Sequence, residues 1–177
     1  LASFSSFRFF RQSAAPHFVY QAQAWIEGRT DIDVSVLPNM EDWACVRKDP
    51  NGKPTRCSAP LQSTDRWYSS FPAFPSILML PFVALNGYQF NDTSFGVIVG
   101  ALAIALFFSL LRSLALREGL DRSSTENAGI ALLLGFGTLF FYAAIRGEVW
   151  FSAEVMGVAL TALYLQNAAG TRRPLWA

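Results

Sequence analysis

Three long apolar runs fill the second half of the chain. A helix that crosses a membrane needs about 20 predominantly apolar residues, and the runs at residues 95–116, 127–145 and 151–167 have lengths close to that requirement. Long runs without a repeating polar face are typical of helices surrounded by lipid. The pattern therefore predicts three transmembrane helices within residues 88–177 and an all-α membrane fold.

A fourth apolar stretch, residues 71–87 with the sequence FPAFPSILMLPFVALNG, is interrupted by Pro72, Pro75 and Pro81. Each proline removes a backbone donor, and unsatisfied backbone groups are costly in hydrocarbon. We therefore predict an interfacial or re-entrant helix here, and not a fourth crossing.

The first 70 residues are more polar and include one helical pattern, at residues 16–28. Apolar side chains recur there at helical spacing and Gly28 is a natural terminator. The expected apolar stripe consists of Phe18, Ala22, Trp25 and Ile26, with His17, Gln21 and Gln23 off it. We expect this helix to lie on the membrane surface.

Composition agrees with a membrane protein, since 52% of the residues are hydrophobic and only 15% are charged. The formal net charge of +1 and the lack of a basic stripe argue against a nucleic-acid partner and indicate no other. The apolar runs make membrane lipid the expected partner. The chain lacks an initiator Met and a signal-peptide pattern, so we expect that residue 1 is not the biological start.

Basic residues in short loops mark the cytoplasmic side of a membrane protein. They lie at or beyond the end of the first predicted span, at Arg112, Arg117 and Arg122, and beyond the third, at Arg172 and Arg173. If residues 71–87 do not cross, residues 1–70 lie on the opposite face. The expected order is thus an extracytoplasmic loop with juxtamembrane helices followed by about three transmembrane helices.

Two cysteines lie in the predicted extracytoplasmic region, at Cys45 and Cys57. The turn-forming sequence DPNG at residues 49–52 would fold the arms on either side back towards each other. We predict a disulfide between them, with two separate thiols, one or both buried, as the alternative. A zinc site would need more Cys or His ligands than the chain offers, and we predict no metal site.

The order of elements resembles one enzyme family. The chain has, in order, the helix motif FVYQAQAWIEGR, a polar loop and the Pro-rich segment FPAFPSILMLPFVALNG. A span opened by FND and closed by Arg follows, and a charged motif comes after the second span. This order is similar to the N-terminal part of polytopic GT-C glycosyltransferases. This class includes protein mannosyltransferases and aminoarabinose transferases. The resemblance implies transfer of a sugar from a polyprenyl-phosphate carrier at the outer face, with the bacterial inner membrane as the expected location. Such enzymes have a span before this loop and many after it, so the resemblance implies a fragment.

The resemblance also directs attention to acidic residues of the polar loop. The family's first outer loop carries an acidic residue, often Asp-Glu, ahead of the helix motif, whereas this chain has Pro16 and His17. His17 is a candidate base because its ordinary pKa lies near neutrality. The loop supplies further candidates for a base or for ligands of a divalent cation, namely Asp31, Asp33, Glu41 and Asp42. We prefer Asp42, because Trp43 would hold it near the membrane surface.

The stretch RGEVWFSAE places Arg146, Glu148 and Glu154 between two apolar runs. Ionisable groups at this depth are costly unless they are paired or line a wet cavity. We expect a polar cavity in which Arg146 binds the carrier phosphate and Glu148 or Glu154 orients it or the acceptor. The alternative is an Arg146–Glu148 surface pair with Glu154 reaching the interface.

Two functions remain open at this stage. One is a portion of a glycosyltransferase that uses a lipid-linked sugar. The other is a non-catalytic membrane subunit or truncated relative that keeps the scaffold and binds a lipid or a membrane protein partner. The missing acidic pair favours the second, and the charges around Glu148 favour the first.

Overall fold

A computed structural model describes residues 10–37 and 42–170. Glu41, Arg172 and Arg173 lie outside the described residues. Contacts divide the chain into two units. The mixed unit consists of residues 14–90, and the helical unit consists of the described residues from Asn91 onwards together with those up to Ser13. The chain is mostly helical.

The mixed unit contains two helices and a small sheet. Its elements in chain order are α1 (His17–Ile26), β1 (Trp43–Lys48), β2 (Pro54–Arg56), β3 (Arg66–Ser69) and α2 (Phe74–Asn86). The sheet is antiparallel with the strand order β2-β1-β3. These strands depart from the all-α prediction.

The hairpin between β1 and β2 forms where the turn-forming sequence predicts a reversal of the chain. The Asp49 carboxylate accepts hydrogen bonds from the backbone N–H groups of Asn51 (2.9 Å) and Lys53 (2.8 Å). Val46 then pairs with Arg56, and Cys45 is disulfide-bonded to Cys57. The predicted disulfide is confirmed.

Helix α1 matches the helix predicted at residues 16–28, but it is buried on more than one side. Phe18, Val19 and Ala22 are 0–2% exposed, and His17 is 2% exposed, although the sequence pattern placed it off the apolar stripe. Helix α1 packs on α2, and the rings of Trp43 and Phe71 cover His17. The expectation of a single apolar stripe is therefore wrong.

Helix α2 spans 13 residues, which corresponds to about 20 Å and is less than the hydrocarbon thickness of about 30 Å. Pro81 lies inside it. One side, with Met79 and Val83 fully buried, packs inside the mixed unit, while Ile77, Phe82 and Leu85 are exposed. The interfacial or re-entrant position of this helix stays a prediction.

The helical unit consists of α3 (Asp92–Arg117), α4 (Ser124–Gly137), α5 (Leu139–Arg146) and α6 (Val149–Gly170). By length and composition, α3 and the Val149–Ala169 part of α6 can each cross a membrane, and α4 with α5 makes a third candidate that is bent by 60°. Two or three spanning helices fit an integral membrane protein.

The break between α4 and α5 was not predicted, since residues 127–145 were expected to form one helix. It occurs at Thr138, whose hydroxyl donates to the Leu134 carbonyl (2.7 Å) and accepts from the Phe140 N–H (3.1 Å). The same side chain therefore binds to the end of α4 and caps the start of α5.

Gly96 and Gly100 form a GxxxG pattern, and such small residues let α3 and α5 pack closely. A Cβ added at Gly100 would lie 2.8 Å from the Ala144 Cβ, and one added at Gly96 would lie 3.1 Å from the Ala144 carbonyl oxygen. Helix α6 runs parallel to α3, with Gln166 donating to the Ser109 hydroxyl (2.9 Å) near their C-terminal ends.

Candidate functional site

Three helix termini of the helical unit meet at one end: the start of α3, the end of α5 and the start of α6. Their polar or small residues, here called the polar helix ends, are Asp92, Thr93, Arg146, Gly147, Glu148 and Ser152. All except Arg146 are buried. The charged stretch singled out in the sequence thus joins the first residues of α3.

Gly147 makes this junction possible. It adopts a left-handed conformation with φ of +66°, which ends α5 and turns the chain into α6. A Cβ there would lie 2.5 Å from the Thr93 Cα. Only glycine combines this backbone conformation with so close an approach to α3.

Arg146 and Glu148 form the ion pair that the sequence left as an alternative to a phosphate site. Arg146 Nη2 donates to both carboxylate oxygens, at 2.6 and 2.8 Å. The Glu148 side chain is 9% exposed and that of Arg146 is 23% exposed, so the pair is partly buried. The Arg146 guanidinium carbon also lies 5.3 Å from the Tyr142 ring centre and 5.8 Å from that of Phe151.

Glu148 uses only one of the three guanidinium nitrogens. Arg146 Nε is buried and has no hydrogen-bond partner within the described part of the chain. An unsatisfied buried N–H is unusual in proteins, and a guanidinium held on one edge can bind an oxyanion with another edge. Because 23% of the Arg146 side chain is exposed, an anion can contact the open part of the guanidinium beside Glu148, whereas Nε itself is covered by protein.

Asp92, at the start of α3, is a buried polar residue that is 2% exposed. Asn91 is the cap, since its side chain accepts from the Ser94 N–H at 3.0 Å. Asp92 accepts from the Ser13 N–H (2.7 Å) and the Ser13 hydroxyl (2.5 Å) instead. The two residues are 79 positions apart, so no local pattern could have revealed the contact.

Glu154 does not join Glu148. It is exposed on α6, while Ser152, two residues earlier, is 2% exposed and donates to the Gly147 carbonyl (2.9 Å). Glu154 forms no ion pair with any described residue and lines a groove farther along α6. Arg146 and Glu148 therefore lie together as an ion pair, and the groove that Glu154 lines includes neither of them.

In the mixed unit, His17 lies at the start of α1 beneath Trp43. The two rings are stacked with centres 4.0 Å apart, and the Phe71 ring meets His17 edge-on at 5.3 Å. A base must reach its substrate, and Trp43 would have to move before a reactant could contact this imidazole. The arrangement therefore favours a packing role for His17.

Asp42 directly precedes Trp43 and is exposed. It has a left-handed backbone with φ of +62°, and its carbonyl accepts from the Ser70 hydroxyl (3.1 Å). The residue lines an open cleft of about 510 Å³ together with Trp43, Arg56 and Ser70. A carboxylate in this position is accessible to a polar ligand.

The other acidic candidates in the described residues have local partners. Asp31 pairs with Arg66 at 2.7 Å. Asp33 accepts from the Ser35 hydroxyl (2.6 Å) and N–H (2.9 Å), and these hydrogen bonds lower the pKa of its carboxyl group. Both therefore contribute to loop structure.

One potential metal-ligand group occurs in the described residues, formed by Cys45, Cys57 and Asp65 with ligand atoms within 4.8 Å of one another. The disulfide occupies both sulfur atoms, and thiolates are the form that binds metals. Asp65 is held by Arg47. The group therefore acts as a cross-link and gives no support to the divalent cation that the sequence left open.

Comparisons of the chain with protein-family models, with curated proteins and with solved structures gave no match. The class of the protein follows from its helices: two or three of them are candidate membrane spans, as in an integral membrane protein. The particular activity has to be inferred from the residues themselves.

Proposed function

We propose that the chain is a portion of an integral membrane glycosyltransferase that transfers a sugar from a polyprenyl-phosphate carrier to an acceptor at the extracytoplasmic face. The observation that carries this proposal is Arg146, a partly buried guanidinium at the polar helix ends with one N–H unsatisfied. The order of sequence elements, which resembles GT-C enzymes, adds support.

Arg146 is proposed to bind the carrier phosphate. Glu148 would fix the guanidinium through Nη2 alone, while the rings of Tyr142 and Phe151 limit its movement. A planar guanidinium fixed in this way is preorganised to donate to phosphate oxygens. Glu148 is therefore a positioning residue in this proposal.

Asp42 is proposed as the base that accepts the acceptor's proton. It is the exposed carboxylate of the cleft in the mixed unit, and the neighbouring Arg56 and Ser70 supply polar groups for a substrate. His17 is less suitable, because Trp43 covers it. Glu41 remains a candidate outside the described residues.

The expected membrane is the bacterial inner membrane, with the mixed unit outside the cytoplasm. The exposed apolar side of α2, with Ile77, Phe82 and Leu85, supports contact with lipid. The position of the mixed unit outside the cytoplasm rests on the distribution of Arg residues in the loops.

The test is binding of a polyprenyl-phosphate sugar by the full-length protein in nanodiscs. Arg146→Ala should weaken binding by roughly one to two orders of magnitude, because a charge-assisted contact worth about 1.5 to 3 kcal/mol is lost. Arg146→Lys should recover only part, since an ammonium group lacks the planar fork. Arg112→Ala is the matched control. Arg112 is exposed and lies towards the other end of α3, roughly 30 Å along the helix from the polar helix ends.

Removal of Arg146 alone leaves Glu148 buried without its partner, which can destabilise the fold. The double variant Arg146→Ala with Glu148→Gln removes both charges and should fold while still failing to bind the carrier. Unchanged binding by this variant would contradict the proposal.

The second candidate is a non-catalytic membrane subunit, and a specific observation favours it: Arg146 and Glu148 already neutralise each other. Sugar transfer distinguishes the two. In an active enzyme, Asp42→Asn should abolish transfer and leave carrier binding intact. A full-length protein that binds the carrier but transfers no sugar to any acceptor would support the non-catalytic function.

A further inference from the structure

A groove on the helical unit lies apart from the polar helix ends. It is lined by residues of three helices, including Phe107 and Leu110 of α3, Leu134 of α4 and Gly157 of α6, and its volume is about 360 Å³. Glu154 of α6 is the one charged residue among those that line it. A carboxylate in an otherwise largely apolar groove requires an explanation.

The position of Glu154 in α6 makes the charge costly. It lies five residues into the candidate span Val149–Ala169, about 7.5 Å along the helix axis. Ionisable residues within spans generally pair with one another or line a wet cavity. Glu154 is exposed, and its carboxylate forms neither a hydrogen bond nor an ion pair with the described residues.

Gly157 lies one turn from Glu154 and its surface is open. A Cβ added there would meet no atom within 4 Å, so packing within the described chain does not require a glycine. Glycine in a spanning helix allows another helix to approach its backbone closely. The next turn carries Thr161, whose hydroxyl donates to the Gly157 carbonyl (2.8 Å) and is thereby satisfied.

We propose that this groove seats a further transmembrane helix that carries a Lys or Arg, which pairs with Glu154 where Gly157 lets the two backbones approach. The charge of Glu154 selects this occupant. An acyl chain could fill the groove but would leave the carboxylate without a partner in hydrocarbon.

A second copy of this chain fits the groove poorly. In a dimer about a two-fold axis along the membrane normal, the two Glu154 residues would lie at the same depth and repel each other. Arg112 and Arg117 lie near the C-terminal end of α3, and Arg146 is paired with Glu148. None of these cations is at the depth of Glu154.

The experiment places a photoreactive residue at Val158, which lines the groove, in the full-length protein in its native membrane. The cross-linked segment is identified by mass spectrometry. The expected product is a spanning helix with a Lys or Arg within one turn of the cross-linked position. Products with lipid only, with a second copy of this chain, or with a helix that lacks such a residue would overturn the proposal.

Two variants test the roles of the groove residues. Glu154→Gln should lower the cross-link yield by about 3- to 30-fold, as expected for loss of a polar contact between helices in a membrane. Gly157→Leu should abolish the cross-link, whereas Gly129→Leu should preserve it, although Gly129 is equally open on α4. Equal cross-link yields for Glu154→Gln and wild type would contradict the pairing proposed for Glu154. Equal yields for Gly157→Leu and Gly129→Leu would contradict the close approach proposed at Gly157.

A charge exchange completes the test. Glu154→Lys, combined with replacement of the partner's basic residue by Glu, should restore the yield lost in either single variant. Failure of the exchange to restore it, with both proteins expressed and inserted, would show that the carboxylate is not paired and would overturn the proposal.

Discussion

At the residue scale, the Arg47–Asp65 ion pair stabilises the loop that follows the disulfide. Arg47 Nε and Nη2 donate to the two Asp65 carboxylate oxygens at 2.6 and 2.8 Å, and Nη2 also donates to the Ser58 and Pro60 carbonyls. The Asp65 side chain is 1% exposed. One side chain of β1 thus connects to three points of the loop.

This pair predicts how the stability of the mixed unit depends on pH. The hydrogen bond from Arg47, followed by that from the Gln62 N–H, lowers the pKa of Asp65 from its ordinary 3.8 to about 2. The unfolded chain then binds a proton more readily than the folded one. The stabilisation is therefore complete above about pH 4 and is lost as the pH falls towards 2.

Asp65→Asn should lower the thermal unfolding midpoint at pH 7 and flatten its decline between about pH 4 and pH 2. Tryptophan fluorescence reports the transition, since Trp67 lies in β3. Asp31→Asn is the control, because its partner Arg66 is 65% exposed and such pairs contribute only about 0 to 1 kcal/mol. Identical acid profiles for wild type and Asp65→Asn would contradict the role given to this pair.

At the element scale, the packing of α3 against the turn between α5 and α6 depends on Gly147. Gly147→Ala should destabilise the helical unit by about 2 to 5 kcal/mol, because a left-handed alanine costs about 1 to 2 kcal/mol and overlap with the Thr93 backbone adds more. Unfolding in detergent, followed by circular dichroism, measures the loss.

Gly119→Ala provides the matched control for this prediction. Gly119 has a similar φ of +62°, but a Cβ there would meet no atom within 4 Å. Its replacement should cost only the backbone strain of about 1 to 2 kcal/mol. Equal losses for the two variants would mean that the contact with Thr93 has no energetic importance.

The elements differ in how far the sequence could predict them. The run at residues 95–116 lies within α3 because its apolar length alone requires a helix in lipid. The break at Thr138 depends on two hydrogen bonds of one hydroxyl, and a hydropathy pattern contains no information about them. The strands escaped prediction because β2 has only three residues, all exposed, and depends on pairing with β1.

The candidate site was only partly predictable for the same reason. Glu148 and Arg146 are two residues apart, so the sequence could suggest their pairing as an alternative. The stacking of His17 on Trp43 and the bond of Ser13 to Asp92 join distant parts of the chain. Such contacts depend on tertiary packing, which local patterns do not specify.

At the scale of the whole molecule, the proposed function depends on which residues lie outside the cytoplasm. We propose that the mixed unit and the polar helix ends lie there, because the basic residues at the ends of the first and third predicted spans mark the opposite, cytoplasmic face. Every role proposed for Asp42 and Arg146 requires this orientation, because the carrier's sugar is transferred at the outer face in the proposed reaction.

Labelling of single cysteines tests this orientation most directly. Asn51→Cys and Asp121→Cys, both at exposed positions, are introduced separately into a full-length protein in which Cys45 and Cys57 are replaced by Ser. A membrane-impermeant maleimide applied to intact cells should label position 51, and should label position 121 only after the membrane is permeabilised. Labelling of position 121 but not position 51 in intact cells would contradict the orientation and the functions derived from it.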